Sequence, residues 1–154
     1  METSRASYIA GTYDVENHND GRGDAATFNE IIGLAVSADG KTLYVADRSN
    51  FAVRQVDLAT TQVTTLVANP KFGPLAPQQP GRRANEALRE YWWFKDPYIL
   101  RPTSISTSPD GALFVTDDIL DWDLDRRRSH RFNNERTLSG FSVRKVVMPS
   151  SLQR

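Results

Sequence analysis

The sequence contains no cysteine, which removes disulfides, thiolate metal sites and cysteine nucleophiles together. Histidine is nearly as scarce: His18 and His130 are the only two, far apart and in polar stretches. Two histidines without carboxylates at matching spacing make a poor zinc site. No run approaches the ~18 apolar residues that a membrane span needs. The opening residues from Met1 to Ser7 have no apolar core, so they do not read as a secretory signal. The Asn-x-Ser/Thr acceptor pattern is missing too. Net charge is zero, because 19 basic and 19 acidic residues cancel, and local clusters must decide any case for nucleic acid. These absences lead us to expect a soluble, intracellular protein, cytoplasmic by preference, unless the chain belongs to a longer one.

What the chain does contain is one ordinary domain's worth of residues, 154, of which 39% are hydrophobic and 25% charged. That balance is too apolar for a wholly disordered chain and sufficient for a core if the elements close on one another. From Ile32 to Ala68 four β-rich runs follow one another: Gly33 to Ser37, Thr42 to Ala46, Ala52 to Leu58 and Gln62 to Ala68. Each is rich in residues that pack well on a pleated surface. Each gap carries turn chemistry, with Asp39-Gly40 the strongest case, since Gly40 can take a positive φ at little cost. Strands recurring about every ten residues with no helix between them predict hairpins and an antiparallel, all-β sheet. Leu34-Ala35-Val36 and Tyr44-Val45-Ala46 are apolar on both faces, which predicts a sheet covered on both sides.

The pattern returns. Asp110-Gly111 repeats the Asp39-Gly40 turn 71 residues later (110 minus 39), and Leu113-Phe114-Val115-Thr116-Asp117 repeats Leu43-Tyr44-Val45-Ala46-Asp47. Val143-Arg144-Lys145-Val146 repeats Val53-Arg54-Gln55-Val56. Asp47 and Arg54 stand 7 residues apart, whereas Asp117 and Arg144 stand 27 apart, so about twenty residues are inserted in the second copy. The chain divides accordingly into residues 1–30 (outer strand and Gly-rich lead-in), 31–68 (first unit), 69–101 (a Pro-rich and aromatic connection) and 102–154 (second unit, with the insertion at 118–140).

These residues resemble the NHL repeat family. Asp20-Gly21-Arg22-Gly23-Asp24 through Phe28 looks like the family's Gly-rich lead-in. Tyr44-Val45-Ala46-Asp47 with Asn50, Val53, Arg54 and Val56 looks like its central signature, and Val63-Thr64-Thr65-Leu66 like its closing strand. The second copy keeps Pro102, Asp110, Gly111, Asp117 and Arg144 but loses the signature Asn, and Ile31 stands where the family usually has proline. The resemblance implies β-propeller blades, each a four-stranded antiparallel sheet, in an incomplete propeller of about two blades. It implies a structural role for Asp39, Gly40, Asp47, Asn50, Arg54, Asp110, Gly111, Asp117 and Arg144. Ser7 to Gly11 looks like the outer strand of a blade with no blade before it, so a fragment, an open stack, or a homo-oligomer completing the propeller are all compatible with the sequence.

Three constellations invite a chemical reading. The insertion segregates charge: Asp121, Asp123 and Asp125 precede Arg126, Arg127, Arg128 and Arg131. A calcium loop would need Gly and Glu where Arg126 and Phe132 stand, so that match fails. The arginines suit RNA phosphates or an acidic protein, while the bland alternative is a solvated loop whose charges pair with each other. Trp92 and Trp93 in the run Tyr91 to Phe94, with Trp122, suit stacking on bases or anchoring a protein partner, and equally suit packing of the connection. Catalysis has little support, since no nucleophile elbow, phosphate loop or metal set is present. The expectation is therefore a non-catalytic interaction module with a protein partner, no cofactor and no metal. RNA binding through the insertion, or a fragment of a catalytic propeller, are the alternatives.

Overall fold

A computed structural model describes residues 3–13, 15–69, 101–119 and 140–147. Among these residues the regular structure is β, with two short 3-10 turns at Gly23–Ala25 and Arg48–Asn50. The strands are β1 (Gly21–Arg22), β2 (Ile31–Val36), β3 (Thr42–Asp47), β4 (Ala52–Asp57), β5 (Gln62–Ala68), β6 (Pro102–Thr107), β7 (Leu113–Ile119) and β8 (Gly140–Val146). They form two antiparallel sheets, ordered β1-β5-β4-β3-β2 and β6-β7-β8.

The meander β2 to β5 follows from its turns. Gly40, at φ 72°, supplies the left-handed residue that the β2–β3 hairpin needs, and Gly111, at φ 83°, does the same between β6 and β7. Asp39 accepts hydrogen bonds from the Ser37 hydroxyl (2.6 Å) and the Lys41 amide (3.1 Å), so its side chain closes the turn that its neighbour's backbone opens. Asp110 takes the Ser108 hydroxyl in the same way. The two copies also share an irregularity. The register shifts between Ile31 and Gly33 in β2, and between Pro102 and Ser104 in β6, opposite Asp47 and Asp117 respectively.

The sheets stack face to face. Tyr44, Ala46 and Val53 of the first sheet meet Ile105, Leu113 and Val115 of the second in one buried cluster. Each fully buried valine or leucine of that cluster contributes about 1.5–3 kcal/mol. Gly33 lets the sheets approach: a Cβ there would lie 3.3 Å from Cγ2 of Ile105. The Thr107 hydroxyl donates to the Val36 carbonyl at 2.7 Å, a second link between β6 and β2. The opposite face of the first sheet holds Val45, Val56 and Val63, covered by Ala10, Ala26 and Phe28 of the N-terminal segment.

Two expectations are corrected. Ser7 to Gly11 forms no strand. The outer edge of β5 is taken instead by Gly21 and Arg22, paired with Val63 and Gln62, while Gly11 turns at φ 122° and bonds to the Gly23 carbonyl. Nor are both faces of β2 covered: Leu34 and Val36 are exposed, because the N-terminal segment packs on Val45, Val56 and Val63 of β3, β4 and β5.

Candidate functional site

A dense polar arrangement lies on one face of the first sheet, toward one end of its interior strands. Asp47 closes β3 and Arg54 sits on β4, where the register pairs Val45 with Arg54 and Asp47 with Ala52. Both side chains therefore project to the same face, and both are fully buried. Arg54 Nη1 donates to Asp47 Oδ2 at 3.0 Å and to the Thr27 carbonyl at 3.2 Å. Its Nη2 donates to Asp20 Oδ1 at 2.7 Å and to the Asn19 carbonyl at 2.8 Å. The guanidinium lies 5.3 Å from the Phe28 ring centroid, a cation–π contact. Asp47 also accepts the Asn29 amide (2.8 Å) and Asn50 Nδ2 (2.9 Å), and Asn50 Nδ2 reaches on to the Asn17 carbonyl at 2.8 Å.

A buried ion pair needs this many partners, since each charge otherwise loses its hydration uncompensated. Burial pushes the Asp47 carboxyl above its ordinary range, and the bonds from Asn50, Asn29 and Arg54 oppose that push. Asp20 ends on the other side. Burial raises it, but the bonds from Thr65 and Arg54 together outweigh burial and hold it below the usual value. His18 completes the group. It is buried, its Nε2 lies 3.2 Å from the Thr65 hydroxyl, and burial followed by the nearby Arg54 charge lowers its pKa, with Asp47 and Asp20 opposing. The Thr65 hydroxyl donates to Asp20, and the carboxylates are bonded to Thr65 and Arg54 rather than to the imidazole. This is not the geometry of a hydroxyl nucleophile activated by a carboxylate-oriented histidine. What it does is tie the lead-in segment to the sheet.

The second sheet repeats the core of the arrangement. Arg144 Nε donates to buried Asp117 at 2.7 Å, and the Ser142 hydroxyl bonds the same carboxylate. The signature residues thus divide between two places. Asp47, Asn50 and Arg54 come together, as do Asp117 and Arg144, while Asp39-Gly40 and Asp110-Gly111 lie in hairpin turns at the opposite end of the strands. Trp92, Trp93, Trp122, Arg126, Arg127, Arg128 and Arg131 lie outside the described residues.

Several participants were not singled out from the sequence. His18 sits in a polar stretch, yet it is buried against Thr65, 47 residues away. Asp20 was legible only as part of a glycine-rich lead-in. A cluster linking the sheets was also missed. Glu30 accepts Arg48 Nη1 (3.0 Å) and the Ser49 hydroxyl (2.6 Å), and Arg101 approaches it to 4.0 Å. The Ser49 bond is the largest influence holding Glu30 below its usual value. Only the Asp47–Arg54 pair carried a local signal, an arginine in a β-rich run seven residues after an aspartate.

No family model matches the chain. Individual proteins do. It is 36% identical over 83 residues to the chloroplastic protein SUPPRESSOR OF QUENCHING 1 of Arabidopsis thaliana, a match covering 54% of this chain and 8% of that protein. It is 37% identical over 65 residues to human NHL repeat-containing protein 2, covering 42% of this chain and 9% of the relative. The chain thus spans less than a tenth of the length of these relatives. A crystal structure of a structural genomics protein of unknown function from Bacteroides thetaiotaomicron superposes with a TM-score of 0.50 at 18% identity, over 71% of this chain and 24% of that one. At that identity the likeness concerns the fold alone. The repeated strand pattern, the stacked antiparallel sheets and the named relatives agree: the chain carries repeats of the NHL family.

Proposed function

We propose that the chain is a non-catalytic interaction module, a stack of NHL blades that presents its long connection and its insertion to a protein partner. The observation that carries this reading is the position of the strand ends. β5 ends at Ala68 and β6 begins at Pro102, which pairs with Asp117 near the end of β7. The β7–β8 ladder runs unbroken to Ile119 opposite Gly140. Asn69, Arg101, Ile119 and Gly140 therefore lie at the same end of the strands as the Arg48–Asn50 turn. The described residues that flank positions 70–100 and 120–139 thus share one end of the strands, and loops on a rigid scaffold are where binding residues concentrate. The signature residues are committed to internal bonds, which leaves recognition to these segments.

The test replaces residues 120–139 by Asn-Gly, and separately changes Trp92 and Trp93 to Ala. Proteins captured by the wild type should be lost with one or both variants while the far-UV spectrum is retained. Capture that survives both changes contradicts the reading. The run Arg126 to Arg131 favours a second reading, RNA binding. It expects affinity for a single-stranded RNA that falls steeply with salt and disappears in the Arg126, Arg127, Arg128 to Ala variant. Unchanged affinity in that variant rules it out.

A further inference from the structure

The packing between the two sheets is directional. The Tyr44–Ala46–Val53 face of the first receives the Ile105–Leu113–Val115 face of the second. By register, the second sheet's opposite face carries Phe114 in the place of Tyr44, Thr116 in that of Ala46 and Val143 in that of Val53. The first sheet's opposite face carries Leu34 in the place of Ile105, since Leu34 pairs with Val45 as Ile105 pairs with Val115. The two ends of the stack therefore carry the two halves of one such interface.

Among the described residues, neither half is covered. Ile105 is 8% exposed, but its counterpart Leu34 is 57% exposed. Tyr44 and Val53 are 9% and 0% exposed, against 36% for Phe114 and 74% for Val143. Ala10, Ala26 and Phe28 cover β3 to β5 of the first sheet, so the exposed strip among the described residues is Leu34 and Val36 on the inner strand, β2. An inner strand is also what the second sheet contributes to the existing interface, through Ile105 and Thr107 of β6. Val36 stands where Thr107 donates to a carbonyl, so the new contact would be similar in shape with one hydrogen bond fewer.

We propose that these two faces bind each other in different molecules, so that a second copy of this chain docks head to tail with Leu34 and Val36 against Phe114 and Val143. The contact is heterologous, using different surfaces on the two copies, and it closes into a ring if the rotation per copy allows. With two sheets per copy and four to eight blades in a propeller, closure would take about two to four copies. The internal interface supplies the template, and a second copy presents both halves of it.

The experiment measures the mass in solution, by light scattering after size exclusion over a concentration series, for the wild type, Leu34→Glu, Val143→Glu and an equal mixture of the two variants. Both positions are exposed in the single chain, so each variant should fold; Leu34→Ser and Val143→Ser serve if either does not. The expected result is a self-associating wild type, monomeric single variants, and a one-to-one pair in the mixture, because each variant retains the half that the other lacks. A wild type that stays monomeric overturns the proposal. So does a single variant that still self-associates, which would mean like faces pairing, or a mixture in which no pair forms.

Discussion

Arg54 and Asp47 are both without access to water, and the pair holds the lead-in segment on the sheet through Thr27, Asn19, Asp20 and Asn29. Removing one member leaves the other charged and buried, at a cost of about 3–5 kcal/mol. Arg54→Met should therefore lower the unfolding midpoint in urea drastically. Asp20→Asn should cost less, since the side chain of Asp20 is about half exposed and asparagine keeps an oxygen that Arg54 and Thr65 can donate to. Equal losses from the two variants would contradict this ranking. His18 gives the pH prediction. Its folded pKa lies below the ordinary 6.5, so the folded state resists the proton that the unfolded chain accepts. The stability it contributes is complete above that value and is lost as pH falls below it. Asp47, with a raised pKa, works in the opposite sense, so the effect is read as a difference. Between pH 7.5 and 5.5 the Tm of the wild type should fall more than that of His18→Gln. Thr61 holds φ at 60°, a region that β-branched residues avoid, and Thr61→Asn should raise stability by up to about 1 kcal/mol in thermal unfolding.

At the scale of elements, the strands of both sheets were legible because turn chemistry and β-branched runs are local signals. Asp39-Gly40 and Asp110-Gly111 announced hairpins that the backbone makes with Gly40 and Gly111 at positive φ. The edge was not legible. Ser7 to Gly11 has an apolar run but no ladder partner, and β1, with only two residues, is too short to show any alternation. The polar network escaped for a related reason. Arg54 meets Asp20 and Asn19 across 34 and 35 residues of chain, and no local pattern encodes such a meeting. The coverage of β2 was misjudged because an apolar strand signals a need for burial without saying what molecule meets it. Gly33 makes an element-level prediction. Its missing Cβ faces Ile105 Cγ2 at 3.3 Å, so Gly33→Val should cost about 1–3 kcal/mol by overpacking the contact between β2 and β6. Ile105→Ala, which removes Cγ2, should in the same chain recover part of that loss in a double-mutant cycle, and strict additivity of the two changes would contradict the contact.

The whole molecule rests on one claim: that the two sheets are successive blades packed into a single cooperative unit, with Tyr44, Ala46 and Val53 on one side and Ile105, Leu113 and Val115 on the other. Everything assigned to the ends of the strands and to the free faces depends on that stacking. The repeat in the sequence revealed two copies, but the direction of stacking emerges only from which face of each copy is buried. The most direct measurement is amide hydrogen exchange by mass spectrometry on the wild type and on Ile105→Ala, followed through peptides from β3–β4 and β6–β7. If the sheets open as one unit, truncating Ile105 should lower protection in both by a similar factor. If only β6 and β7 lose protection while β3 and β4 keep theirs, the sheets are independent and the account of stacked blades is wrong.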